Sequence, residues 1–462
     1  MSDGKKAGVS LHKEGIKHGI KLLIDPDNMF WALVKDFDKS RSCVQEWDKD
    51  GDSKILSLYY KFKEKLDTSM RDFRFSTNLN SIYINPTDKC NADCPYCYIP
   101  VSRRKNGIEM SNAELLYILR KLDRYFKGKN YSRIKPIIIY HGSEPLLMKD
   151  MIFSSIEKFS KKFYFGIQTN AILLEKIDTE FLKSYKVSVG ISFDSPDSKI
   201  NNYTRRASGA SNHDKAIQAI EWFDGYEGLN VITTITKYNV KGLSELVRFL
   251  HKKRVPCVLL NPVRATRKST LRLRPEQKTL TGYFIKAVEE AIKLSRKSRR
   301  RIIIGNFSNI VLGIVAPQAR RLTCDISPCG GGRYFFAITA TGDMIPCGEF
   351  IGLERFKGGN IFNSPIERAI SSRPFQEIRS RIVERIPECD ICIYRNICGA
   401  PCPAEIYSLT KDVKRKSPYC EFYKKIIQYA FKLIAEDKAK YLFRKSALKK
   451  TGYEYKLDTW NQ

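Results

Sequence analysis

Eleven of the thirteen cysteines fall into two groups, and this limits what the chain can be more than any other feature. The first group is Cys90, Cys94 and Cys97, a C-x3-C-x2-C run inside TDKCNADCPYCY. The second is Cys324, Cys329, Cys347, Cys389, Cys392, Cys398, Cys402 and Cys420. The N-terminus lacks an apolar stretch of signal-peptide type, so the expected location is the cytoplasm. Disulfides are disfavoured there, and cysteines at this density then point to metal or redox chemistry. Cys43 and Cys257 stand alone and read as small buried apolar residues. Three thiolates are one short for a closed zinc site or a fully protein-ligated iron–sulfur cluster. A four-iron cluster on three cysteines keeps one iron for a small molecule, which is a chemical reason to expect catalysis. Eight thiolates suffice for two fully ligated [4Fe–4S] clusters, although C-x2-C is also zinc-like.

At 462 residues and 42% hydrophobic, the chain can bury a sizeable core in two or three domains, and wholesale disorder is excluded. No run of 18 apolar residues exists, so no transmembrane helix is expected. From residue 80, β-branched or aromatic runs at 81–85, 136–140, 163–168, 187–193, 230–235 and 256–260 alternate with helical candidates. The helices are expected at 111–126, 149–161, 175–184, 214–224, 241–252 and 276–297. Six strand-then-helix units predict an α/β fold with a parallel sheet. An open doubly wound sheet and a partial (β/α) barrel both fit, and either binds ligands at the C-terminal strand ends. Periodicity fades after residue 305, where Cys, Gly and Pro become dense, until an apolar stripe marks a helix over 421–442. The expected division is 1–78, an N-terminal extension or peptide-docking segment; 79–305, the sheet domain; 306–422, a cysteine-rich domain; and 423–462, a helical tail.

The three-cysteine run, directly after the first strand, resembles that of the radical S-adenosylmethionine (SAM) superfamily, and the likeness extends over residues 80–270. It implies a partial (β/α)6 barrel, in which a cluster on Cys90, Cys94 and Cys97 binds SAM and cleaves it reductively to a 5′-deoxyadenosyl radical. Tyr96, before the last cysteine, is an implied SAM contact. His141-Gly142-Ser143-Glu144-Pro145 is similar to the family's GGEP element for the SAM ammonium, which Glu144 would bind. Gly142 would allow close backbone approach, and Ser143 stands where a second glycine is usual. Gln168-Thr169-Asn170 is like the family's QTN element near the ribose, which assigns Gln168 and Asn170. Ser192-Phe193-Asp194 is like its SLD element: Ser192 is implied to reach the ribose or carboxylate, and Asp194 to face the substrate side. Arg205 matches the arginine that pairs with the SAM carboxylate, with Arg206 as its neighbour.

The second cysteine group resembles the SPASM domain of radical SAM peptide maturases, over residues 320–422. That likeness implies two auxiliary clusters, one on Cys324, Cys329, Cys347 and Cys402, the other on Cys389, Cys392, Cys398 and Cys420, hence three [4Fe–4S] clusters in all. Arg320–Gly332, Asn360–Phe362 and Cys398–Pro403 look like the CbpB-type peptide-modifying subgroup. The expected activity is hydrogen abstraction from a ribosomally made precursor peptide, giving a crosslink, thioether or oxidised residue, with a flavodoxin- or ferredoxin-like electron donor. Formylglycine generation in a sulfatase is the alternative. That family has an aspartate directly after the cysteine equivalent to Cys347; this chain has Gly348 and then Glu349, a candidate base. A non-catalytic electron carrier or RNA-binding protein is the reading from another class. The net charge of +31 invites anionic partners. The basic clusters carry few aromatics, so an acidic peptide is favoured over nucleic acid, and no membrane partner is expected.

Overall fold

The computed structural model describes residues 11–17, 19–35, 51–128, 135–207, 211–298 and 300–443; Cys43 lies outside them. Three antiparallel strands come first, β1 (His12–Lys17), β2 (Ile20–Ile24) and β3 (Trp31–Lys35). The helix Gly51–Phe75 follows. Six parallel strands then pair in chain order: β4 (Ser81–Ile84), β5 (Ile137–Tyr140), β6 (Tyr164–Thr169), β7 (Ser188–Ser192), β8 (Leu229–Ile235) and β9 (Cys257–Pro262). This is the expected α/β architecture of a partial barrel, with helices crossing between strands.

The strands are short and β-branched, and their side chains alternate between two surfaces. In β4, Ile82 and Ile84 join the main core, whereas Tyr83 turns toward a second cluster with Ile99, Ala337, Ile345 and Phe350. The helix Asn112–Lys127 shows how the crossovers are fixed. Ser111 and Glu114 form a capping box at its start, and Leu115, Ile118, Leu119 and Leu122 are buried against the sheet. Each such side chain contributes about 1.5–3 kcal/mol.

The cysteine-rich segment is built into the same sheet. β10 (Ile303–Ile304) lies beside β9, and on the far side β11 (Phe335–Ile338) pairs parallel to β4. β12 (Asp343–Ile345) and β13 (Gly359–Asn360) continue antiparallel. Regular structure therefore persists where periodicity fades in the sequence. The helix Gly305–Val315 is apolar nearly all round, with Phe307, Ile310, Val311, Leu312 and Ile314 buried, so it has no polar face to mark a stripe. The tail stripe does form a helix, Cys420–Ala435, followed by a short turn at Ala439–Leu442.

The lead-in segment packs against the cysteine-rich region. Trp31 Nε1 donates to Ile314 O at 2.9 Å, and its ring meets Phe431 edge-on. Arg74 donates to Ser327 O and pairs with Glu384. Buried arginines then hold the irregular loops. Arg333 donates to Ser76 O and Pro328 O, and Arg320 to Asp325 O and Asn396 O. Arg381, 2% exposed, donates to the carbonyls of Ala400, Val413 and Arg415. Arg381→Met should leave these carbonyls without a donor and cost about 3 kcal/mol or more, since each unsatisfied buried group costs about 1–3 kcal/mol. A lowered urea midpoint in the reconstituted protein checks this; an unchanged midpoint would show that the loops do not depend on it.

Candidate catalytic centre at the barrel mouth

The loop after β4 carries the first three thiols, and buried Arg104 staples it. Arg104 donates from Nη1 to Ala92 O (3.0 Å) and Asp93 Oδ1 (2.9 Å), and from Nε to Ile99 O (3.2 Å). Inside the loop Cys97 N donates to Cys94 O, and Cys90 N to Arg104 O. The thiols of Cys90, Cys94 and Cys97 are electrostatic neighbours of one another. Burial pushes Cys90 and Cys94 up to about 12. Thiolates at such positions form only beside compensating positive charge.

The ends of β5 and β6 bring in the next residues. Gly142 has φ +119°, and a Cβ there would lie 2.2 Å from Asn85 Oδ1, so only glycine fits. Ser143 donates from N to Asn85 Oδ1 and from Oγ to Asp88 O. Glu144 is 1% exposed. It accepts from Leu146 N (3.0 Å), Thr169 Oγ1 (2.7 Å) and Asn170 N (2.8 Å). Burial raises its carboxyl to about 7, against the lowering effect of those bonds. Asn170 Nδ2 donates to Asn91 Oδ1 at 2.7 Å, tying β6 to the thiol loop. Gln168 lies near the end of β6, and Ser192 ends β7; both are half-buried.

Asp194 differs from its expected place. Its side chain is fully buried, not presented to a substrate. It accepts from Tyr96 Oη (2.6 Å), Arg205 Nη2 (2.9 Å) and Thr234 N (2.9 Å). The guanidinium of Arg205 lies over the Tyr96 ring, 5.6 Å from its centroid. Arg205 Nε is buried with no partner in the protein, whereas Arg206 is exposed. Of the two arginines, Arg205 is the one turned inward.

The eight later thiols sort into two sets by their electrostatic neighbours. Cys324, Cys329 and Cys347 face one another, and Cys402 faces Cys329 and Cys347. Cys389, Cys392, Cys398 and Cys420 form the other set. Backbone N–H groups donate to several sulfurs, among them Cys347 from Glu349, Cys398 from Ala400 and Cys402 from Glu405. Gly399 (φ +67°) lets Cys398 approach the chain beside Cys324, because a Cβ there would sit 2.6 Å from the backbone of Ile326. Cys257 begins β9 and is half-buried, not fully buried as expected, and no described cysteine is in a disulfide.

Glu349 lies at the seam between barrel and cysteine-rich segment. Arg264 Nη1 is 3.7 Å from its Oε1, while its Oε2 is buried without a partner, as is Tyr98 Oη. His141 packs against Tyr83 and Tyr98, and burial alone pulls its pKa down to about 4, so it is neutral at pH 7. Arg264, Arg267 and Tyr98 went unrecognised as site residues in the sequence. Their position just past β9 and β4 is the signal for them, since strand ends share one rim.

The donor sets fit iron–sulfur clusters. They consist of thiols alone, in groups of three, four and four. The orphaned Arg205 Nε and the inward Glu144 likewise suit a ligand bearing carboxylate and ammonium groups.

Residues 84–250 match the radical SAM superfamily, and residues 329–393 match the SPASM iron–sulfur cluster-binding domain. The chain belongs to the radical SAM superfamily and carries a SPASM domain; the two together imply iron–sulfur clusters and SAM. An uncharacterized protein of Archaeoglobus fulgidus is 43% identical over 428 residues, 92% of this chain and 94% of its own. The cysteine-type anaerobic sulfatase-maturating enzyme of Clostridium perfringens is 24% identical, over 76% of this chain and 96% of its own. The structure of native anSMEcpe with bound AdoMet shares the fold at a TM-score of 0.67, with 20% identity, over 78% of this chain and 99% of that one. Streptococcus suis SuiB bound to precursor peptide SuiA aligns at 0.56, with 15% identity, over 89% and 98%. No described helix is long and apolar enough to cross a membrane.

The grouping of thiols predicts that iron loss is non-additive. Cys324→Ala should remove about four irons, and adding Cys402→Ala should remove no more, because both belong to one set. Cys324→Ala with Cys398→Ala should remove about eight. Iron analysis after anaerobic reconstitution reads the difference; equal losses in both double variants would break the assignment.

Proposed function

We propose that the chain is a radical SAM maturase that abstracts hydrogen from a ribosomally made precursor peptide, leaving a crosslink, thioether or oxidised residue. The observation that carries this is the convergence, on one barrel rim, of the three-thiol loop, Glu144 and the Tyr96–Asp194–Arg205 group. Cys90, Cys94 and Cys97 would hold one [4Fe–4S] cluster, and the two later sets one each, three in all. SAM bound at the first, once reduced, supplies a 5′-deoxyadenosyl radical. Glu144 would hold the SAM ammonium, and its bonds from Thr169 and Asn170 keep the carboxylate aimed. Arg205 would hold the SAM carboxylate, with Asp194 and Tyr96 fixing its plane. Gly142, Ser143, Gln168, Asn170 and Ser192 complete the SAM contacts. Glu349 would accept a proton from the substrate radical, whose second electron would pass to an auxiliary cluster. An acidic leader suits the net charge of +31, and the electron donor is of flavodoxin or ferredoxin type.

Sulfatase maturation is a second reading, supported by the similarity to the Clostridium perfringens enzyme. The glycine at 348, where that family has its aspartate, weighs against it. Incubating the reconstituted protein with dithionite, SAM and either a precursor peptide from a neighbouring gene or a sulfatase-derived peptide separates the two. Mass loss or crosslinking in the first, with 5′-deoxyadenosine formed, supports the maturase. Formylglycine in the second alone selects the alternative, and no 5′-deoxyadenosine with either removes both.

Glu144 gives a pH signature. Its carboxyl, raised to about 7, ionises across the neutral range, and only the ionised form attracts an ammonium. SAM affinity should therefore rise about tenfold from pH 6 to pH 8. Glu144→Gln should flatten that profile and weaken binding by about 1.5–3 kcal/mol, with iron content unchanged. Anaerobic calorimetry measures both; a wild-type profile in the variant would move the ammonium site elsewhere.

A further inference from the structure

Arg264 stands two residues past β9, and the backbone on both sides of it is clamped. Tyr419 Oη donates to Val263 O, and Ala265 N donates to Glu405 Oε1 at 2.8 Å. Those clamps come from residues bordering thiols, because Tyr419 precedes Cys420 and Glu405 donates its own N–H to Cys402. Its ion pair is with Glu349, two residues beyond Cys347. The guanidinium also faces the sulfurs of Cys402 and Cys324 and the carboxylate of Glu405. Two other arginines face Cys329, but they are committed to carbonyls: Arg381 to Ala400, Val413 and Arg415, and Arg333 to Ser76 and Pro328. Arg264 instead keeps 30% of its side chain accessible beside Glu349, which keeps 21%.

We propose that Arg264 is a positioning residue that fixes Glu349 at the barrel mouth and raises the reduction potential of the iron–sulfur centre that Cys324, Cys329, Cys347 and Cys402 would hold. This rests on the reading of those four thiols as one set. The couple concerned is a one-electron gain in which no atom moves, with dithionite as the reductant in the test. A fixed positive charge in a poorly polarisable interior stabilises the more negative, reduced form. The effect is local. The ionic groups facing Cys389, Cys398 and Cys420 are others, among them Arg381, Glu388, Asp325, Glu421 and Lys424. Glu349 acts in the opposite sense, since a carboxylate beside the same thiols disfavours the added electron. The ion pair therefore balances the two charges and holds Glu349 with Oε1 engaged and Oε2 unpartnered.

The test uses the full chain with Cys90, Cys94 and Cys97 replaced by Ala, reconstituted anaerobically, in a redox titration followed by electron paramagnetic resonance. Two auxiliary signals are expected. Arg264→Gln should lower one midpoint by at least a tenfold change in the reduction equilibrium, about 59 mV for one electron, and leave the other in place. Arg264→Lys should recover most of the shift, which a role in packing alone would not produce. If Arg264→Gln loses iron, the fall in midpoint from Glu349→Gln to the Arg264→Gln/Glu349→Gln double variant reads the same charge without stranding a carboxylate. Midpoints that stay put in these comparisons, or that move equally at both centres, overturn the role of Arg264. A parent protein that loads no auxiliary iron overturns the cluster reading beneath it.

Discussion

Thiols held out of water in three separate groups are the constraint on which the rest of this structure depends. Burial raises the proton affinity of nearly every one of them, Cys389 and Cys402 to about 11 and Cys90 and Cys94 to about 12. A buried set of four thiols offers little as a hydrophobic core and much as a ligand cage, because deprotonation and metal binding are coupled. The chain meets that demand with backbone N–H donors to sulfur and with buried arginines that tie the carrying loops. Arg104 does so for the first set, and Arg333 and Arg381 do so for the segments around Cys329 and Cys398–Cys402. The same residues thus fix geometry and supply positive charge.

The parallel sheet explains why these parts meet. Loops after β4, β5, β6, β7 and β9 leave on one rim, so residues far apart in sequence arrive together. Asn170 reaches Asn91, Tyr96 reaches Asp194, and Arg205 reaches Ile232 O. The pairing of β11 with β4 then brings the cysteine-rich segment to the same place. Gly348 packs so close to His141 that a Cβ there would lie 3.3 Å from its Nδ1. A side chain at 348 would therefore need the His141 ring to give way by a few tenths of an ångström.

Strand positions and crossover helices were legible in the sequence, because each is written locally, as a β-branched run or a stripe; the division of the eight later cysteines into two interleaved sets was implied by the family resemblance and not by local spacing. What depends on distant partners was not legible. Asp194 reads as a residue facing substrate until Tyr96, Arg205 and the Thr234 N–H are seen to occupy it. The helix Gly305–Val315 lacks a polar face, and β12 and β13 are too short for alternation to register. Arg264 sits in a basic run, where a charged side chain is ordinarily a solvated one. Its partners Glu349 and Glu405 come much later in the chain, so only its place two residues past β9 sets it apart from Arg272 or Arg274.

The two halves of the site divide their electrostatics in a consistent way. In the Tyr96–Asp194–Arg205 group, Asp194 neutralises Arg205 on one face and leaves Nε unpartnered, so the arginine is oriented without being spent. On the SPASM side, Arg264 meets one oxygen of Glu349 and leaves the other unpartnered. Each pair is an ion pair with one polar atom left over, and a buried unpaired polar atom costs about 1–3 kcal/mol. A fold selected for stability alone would have removed both costs, for instance by a second hydrogen bond or an apolar replacement. Such a cost is relieved when a ligand engages the open atom, which is how a desolvated ion pair is preorganised for binding.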